Sequence, residues 1–136
     1  MQLGNIATGT GASALAPVAE DGTRNRRVVL SAMREGVTRT GKPALYLEDN
    51  TGATVARLQL DTDPMTGSKF ENQLERTRAI LSGIGIRDED GVVHVDRIPG
   101  LEVDLLEEYE VYEGRGRWST RWISLPRTRR TAAFKL

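Results

Sequence analysis

The sequence predicts a mainly β domain: five strands forming a small Greek-key barrel, with one α-helix between the third and fourth strands. Three observations carry this. Short runs rich in Val, Ile, Leu and aromatic residues recur between Gly-, Asn- and Pro-containing turns. A single segment, near residues 69–82, repeats its apolar residues at helical spacing. A length of 136 residues fits one compact domain with flexible ends rather than two domains.

Residues 1–25 are rich in Gly, Ala, Thr and Ser and keep no period of 2 or 3.6. They cannot bury enough apolar surface to offset their ordering entropy, so a flexible N-terminal arm is expected. Its glycines, Gly4, Gly9 and Gly11, are not followed by Gly-Lys-Ser/Thr, and Thr40-Gly41-Lys42-Pro43 places a proline where a magnesium-binding hydroxyl is needed, so neither is a phosphate loop. The barrel is expected over 26–126. Its first strand runs from Arg26 to Met33, and a polar loop from Glu35 to Pro43 follows.

The second and third strands, Ala44 to Glu48 and Thr54 to Asp61, flank Asn50-Thr51-Gly52, a hairpin signal with Gly supplying the positive φ. A turn at Thr51 and Gly52 sets Leu45 against Leu58 and Leu47 against Ala56 on one face, with Tyr46 against Arg57 and Ala44 against Gln59 on the other. A slip of one residue would invert both faces, so the clean sorting supports this register. An aromatic ring beside a guanidinium on the non-core face suits a base-stacking platform with a phosphate contact, and equally an ordinary cross-strand pair.

Ser68-Lys69-Phe70-Glu71 has capping-box spacing, and Phe70, Leu74, Thr77 and Leu81 follow as one helical face ended by Gly83 and Gly85. The acidic turn Arg87 to Gly91 lacks calcium-loop spacing, and His94 falls at a polar position of a short strand, Val92 to Val95. The fourth and fifth strands, Leu101 to Tyr112 and Arg117 to Leu125, join through Gly114-Arg115-Gly116 and stop at Pro126. A turn at Arg115-Gly116 opposes Tyr109 to Trp122 and Glu110 to Arg121, whereas a three-residue loop opposes Tyr112 to Trp118. In either register Trp118 and Trp122 share one face and Arg117 and Arg121 the other, leaving open whether the Trp face is core or binding surface.

Composition narrows the function. Without Cys there are no disulfides or thiolate metal sites, and with a single His the usual zinc spacings and His-dependent triads are missing, so no cofactor, metal or catalytic residue is expected and an enzyme is disfavoured. No long apolar run and no basic-then-apolar leader is present, which reads as a cytoplasmic protein without a membrane partner. The net charge is zero, but its order is uneven: residues 1–110 hold 12 basic against 18 acidic side chains, while 111–136 hold 7 basic against Glu113 alone. Residues 127–136 form a basic tail. Such asymmetry points to a polyanionic partner, which responds to local potential rather than to the total.

Three strands, a helix and two strands is the element order of the oligonucleotide-binding barrel, or OB-fold, which takes single strands on its second and third strands and its first and last hairpin loops. Here Arg34, Arg39 and Lys42 fall in the first loop, Tyr46 and Arg57 on the middle strands, and Arg115, Arg117, Trp118, Arg121 and Trp122 in the last hairpin. These ten are the candidate nucleic-acid-binding residues. The chain also resembles a family of phage-encoded single-stranded-DNA-binding proteins with this barrel. The likeness rests on Gly41-Lys42-Pro43, the Phe70 to Gly85 segment ending Ser82-Gly83-Ile84-Gly85, Pro99-Gly100-Leu101-Glu102-Val103, and Glu108 to Trp118, and spans residues 26–126. It implies protection of single-stranded DNA, or of RNA, in phage replication or recombination in the host cytoplasm, with copies of itself and replication or recombination proteins as partners. Many single-strand-binding proteins end in an acidic tail tipped by Phe, whereas this chain ends in a basic tail containing Phe134. The competing reading is a small phage structural or assembly protein whose arm and basic tail order on oligomerisation.

Overall fold

The computed structural model describes residues 22–126. Most of the expected arm and all of the basic tail therefore lie outside the described residues. Five strands, β1 (Thr23–Val37), β2 (Pro43–Asp49), β3 (Thr54–Gln59), β4 (Glu102–Tyr112) and β5 (Arg115–Ser124), and one helix, α1 (Gln73–Gly83), appear in the expected order. The strands form one antiparallel sheet, β3-β2-β1-β4-β5.

Strand β1 is the spine, and it is longer at both ends than the sequence suggests. Its first half pairs with β4, from Thr23 opposite Glu108 to Val29 opposite Glu102, and its second half with β2, from Leu30 opposite Asp49 to Val37 opposite Pro43. The length of β4 explains the early start, because a long partner offers ladder bonds to residues whose own composition would not hold a strand. Between the halves Ser31 bulges, and its Oγ donates to the Asp49 carbonyl at 2.9 Å. Bulges bend a strand and raise its twist, so the two halves of the sheet curl toward one another.

The sheet is not closed. No ladder joins its edges, β3 and β5, among the described residues. They are linked instead by one bond from Thr120 Oγ1 to the Val55 carbonyl, 2.7 Å, and by α1. Thr77 Oγ1 of α1 donates to the Gln59 carbonyl at the end of β3 (2.7 Å), while the Arg76 guanidinium donates to the Arg121 carbonyl of β5. Beneath the helix, Ile80, Leu81, Ile84 and Ile86 meet Leu30, Leu47, Leu58, Leu105 and Ile123 in a single core.

The β2–β3 register is as read from the sequence: Leu45 opposite Leu58, Tyr46 opposite Arg57 and Leu47 opposite Ala56. Beyond Leu47 the pairing shifts, and the turn is organised by Asp49, whose Oδ1 accepts from Thr51 N, Thr51 Oγ1 and Ala53 N. Burial alone would raise the Asp49 pKa, but those bonds from Thr51 and Ala53 outweigh it and lower it.

Four local expectations need correction. Helix α1 starts at Gln73, not near Lys69: Asn72 is its N-cap, its Oδ1 accepting from Glu75 N, and Glu75 Oε1 accepts from Glu71 N. Two S/T/N-x-x-E boxes follow one another here, and the later one is used because Ser68 turns to accept from Phe70 N instead. Arg34 lies in β1 rather than in a loop. Around His94 there is no strand: Val93 makes an isolated bridge to Arg87 and a 3-10 turn, Val95–Arg97, follows. The β4–β5 hairpin adopts neither expected register. Its turn is Glu113-Gly114, both at positive φ (53° and 78°), so Tyr112 faces Arg115 and Tyr109 faces Trp118. Two consecutive positive φ values match the twist of the flanking strands, which a Gly-Arg-Gly loop does not require.

Candidate nucleic-acid interface

Residues of one parity along β1 and β4 line the inner face of the sheet, and their chemistry changes abruptly. Leu30 and Val28 of β1, and Val103 and Leu105 of β4, are core. The next positions outward, Arg26 and Arg24 on β1 and Glu107 on β4, are charged. Arg24 stands directly opposite Glu107 and donates to it through Nε at 2.7 Å, and Arg26 reaches the same carboxylate at 3.2 and 3.3 Å. Only 4% of the Glu107 side chain and 9% of that of Arg24 are exposed. Desolvating charges is costly unless each is paired and hydrogen-bonded, a condition this triad meets while keeping one net positive charge.

Trp118 completes this end of the face. The Arg24 guanidinium lies 4.0 Å from its ring centre, and Tyr109 meets it edge-on at 5.2 Å. A methyl group on Gly116 would overlap the Tyr109 hydroxyl, so glycine there lets the tyrosine lie across the β5 backbone.

The charged end of the face opens into a groove of about 820 Å³ between β3 and β5, walled by the Met65–Ser68 loop and the start of α1. Among the described residues Arg24, Arg26, Arg57, Arg76, Arg117 and Arg121 line it, with Glu107 as the one carboxylate and Trp118 as the one aromatic residue. The six cations are not equivalent. Arg24 and Arg26 are committed to Glu107. Arg117 faces Glu110 at 3.6 Å, and Arg121 pairs with Glu108 at 2.7 Å and reaches Glu110 at 3.8 Å. Arg57 and Arg76 have no carboxylate partner among the described residues. Burial, and then the nearby Arg121 charge, push the Arg76 guanidinium below its ordinary pKa, the mark of a cation short of an anion.

Of the ten candidate residues, the groove gathers Arg57, Arg117, Trp118 and Arg121. The others lie elsewhere. Tyr46, opposite Arg57, carries the Arg34 guanidinium 4.5 Å from its ring centre, and its ring edge covers Gly36. Arg34 is also bound to Glu48 at 2.8 Å. Lys42 is paired with Asp63, whose hydrogen bond and charge raise its pKa. Arg39 and Arg115 are exposed in the turns after β1 and at the start of β5. Trp122 stands apart from Trp118. The ladder shifts between Leu106 and Glu107, leaving Arg121 as an extra residue on β5, so Trp118 pairs with Tyr109 but Trp122 with Leu106. Trp122 stacks on Phe70, 5.8 Å apart and 9° from parallel, and packs against the core.

The residues missed by sequence reasoning are Arg24, Arg26, Arg76 and Glu107. A signal for the first two exists in the alternation Arg24, Arg26, Val28, Leu30, and for Glu107 in Val103, Leu105, Glu107. An arm drawn to residue 25 leaves Arg24 outside the first strand and Arg26 at its first position, which hides the alternation. Arg76 carries no such signal, since only docking of α1 across the open edge brings it to β5. Compared with known proteins, the chain matches no family model and no curated sequence. Among the described residues no helix is long and apolar enough to cross a membrane.

Proposed function

We propose that the chain binds single-stranded DNA in the groove between β3 and β5, protecting it during phage replication or recombination. The observation that carries this is the groove lining: six arginines, one carboxylate already shared by two of them, and the Trp118 ring. Cations along a groove bind a phosphate backbone without reading sequence, and an aromatic ring adds stacking that any base satisfies. The order of elements supports the same reading. A sheet ordered β3-β2-β1-β4-β5, with a helix across its two free edges, supports reading the domain as an oligonucleotide-binding barrel opened along one seam.

The test is a titration of a labelled single strand of about 30 nucleotides, its duplex and the RNA of the same sequence over a range of salt. Tighter binding of the single strand is expected, with log K falling against log salt by about 0.7 per phosphate contact. Equal binding of strand and duplex would overturn the reading. Large particles with no preference for any nucleic acid would favour an assembly component instead, and preference for the RNA would change the natural ligand but not the groove.

A further inference from the structure

We propose that Glu108 and Glu110 of β4 are built-in competitors for nucleic-acid phosphates: their carboxylates hold Arg121 and Arg117 in the free protein, and an incoming strand displaces them. The inference rests on the reading of the groove as a single-strand site and adds the residues that set its affinity. Its basis is the division of the groove cations into three kinds. Arg24 and Arg26 are locked on a buried Glu107, and stripping that carboxylate would leave it uncompensated in the interior. Arg57 and Arg76 have no carboxylate to give up among the described residues, although Arg76 donates to the Arg121 carbonyl.

Arg117 and Arg121 sit between these extremes. Their side chains are 67% and 54% exposed, and those of Glu110 and Glu108 are 31% and 40% exposed. Ion pairs in such solvated positions are weak, because water and salt screen them and ordering two long side chains costs entropy. A phosphate offers the same guanidinium a charge-assisted, bidentate partner together with counterion release from the strand. Exchange of carboxylate for phosphate is therefore favourable, but each carboxylate lowers the net gain.

The placement of both glutamates follows from the backbone. Glu110 is the direct cross-strand partner of Arg117, and Glu108 lies two residues along on the same face. Continuing that register would set Arg121 opposite Leu106, an apolar neighbour. The extra residue in β5 gives that position to Trp122 and swings the Arg121 guanidinium to Glu108 instead. The bulge thus aligns two cations with two carboxylates on the face of β4 opposite Glu107, outside the groove lining, so a strand that draws either arginine into the groove must break its pair.

The experiment compares the wild-type chain with E108Q/E110Q and with E89Q/D90N in the single-strand titration. Glu89 and Asp90 are exposed in the acidic turn after α1 and do not line the groove, so that pair makes the same change in net charge at a distance. E108Q/E110Q should bind about tenfold more tightly with an unchanged salt slope, because the number of phosphate contacts stays the same, and E89Q/D90N should differ from wild type by less than about twofold. Equal tightening by both variants would reduce the effect to net charge and overturn the proposal. Weaker binding by E108Q/E110Q would do so too, showing that the carboxylates position the arginines. Should the wild type bind and E108Q/E110Q bind no better, this inference alone falls; should neither bind, the reading of the groove falls with it. The single variants E108Q and E110Q, each expected to tighten binding about threefold, separate the two positions.

Discussion

The Arg24 guanidinium lies 4.0 Å from the centre of the Trp118 ring while its Nε donates to Glu107. Three strands thereby contribute a cation, a ring and a carboxylate to one unit at the polar end of the sheet. Each group limits the freedom of the next, so Trp118 is presented to the groove in a fixed orientation. Holding a stacking group in place before the ligand arrives reduces the entropy lost on binding.

This fixed ring separates the roles of the two tryptophans. Trp118→Ala should weaken single-strand binding by about 1–3 kcal/mol for a stacked base and leave the salt slope unchanged, since stacking releases no counterion. Trp122→Ala should instead cost about 2–3 kcal/mol of stability, below the range for a fully buried ring because this one is only partly buried. Urea unfolding and salt-dependent titration of both variants check the division. A Trp122→Ala protein that is stable but binds poorly would reverse the roles.

Glu107 is expected to matter more for folding than for binding. Glu107→Gln leaves Arg24 and Arg26 sharing a buried site without a counter-charge, at a cost of about 3–5 kcal/mol. Replacing Arg24, Arg26 and Glu107 together by Met should recover most of that loss while weakening nucleic-acid binding. Denaturant midpoints across the series measure it, and a Glu107→Gln variant as stable as wild type would remove the triad from the account.

A pH-dependent contribution is expected from the turn after α1. Asp88 accepts from His94 at 2.7 Å and from Asp90 N and Val92 N, and the His94 bond, followed by the one from Val92, lowers its pKa from 3.8 to about 2. A carboxylate with a depressed folded pKa contributes stability above its unfolded pKa and loses it as pH falls toward the folded value. Thermal melts should therefore show a loss between about pH 4 and pH 2 that is smaller in Asp88→Asn. Parallel curves for the two proteins would show that the turn contributes nothing.

The β4–β5 turn holds Glu113 at a φ of 53°, a region costly for most side chains but tolerated by Asn. Glu113→Asn creates the favoured Asn-Gly pair for this turn type and should raise stability by about 0.5–1 kcal/mol without altering the register. A rise in melting temperature with unchanged tryptophan fluorescence is the expected result.

Sequence and structure agree where local chemistry leaves few alternatives. In the β2–β3 hairpin, a slip of one residue would have turned Leu45, Leu47 and Leu58 toward solvent, so apolar alternation together with the turn at Thr51 and Gly52 was enough to fix the pairing. The β4–β5 hairpin lacks that constraint. Tyr109, Val111 and Tyr112 are exposed, both faces mix aromatic and charged residues, and several turns are sterically acceptable. Its register and the bulge at Arg121 were consequently decided by packing of Ile123 and Trp122 beneath α1, which no local pattern encodes.

By itself the sequence determined the element order, the single helix, the core strands and the presence of arginine and aromatic residues suited to a polyanion. Only the tertiary structure decided which of them meet. Strand alternation assigns a side chain to a face, but not the point along that face where apolar packing ends and charge begins. That point depends on how far β1 and β4 run together beyond the core, and it places Arg24, Arg26 and Glu107 beneath Trp118. The remaining wall, with Arg57 and Arg76, exists because β3 and β5 stay unpaired and α1 spans the gap between them, a relation between residues about 60 positions apart that short-range periodicity cannot express.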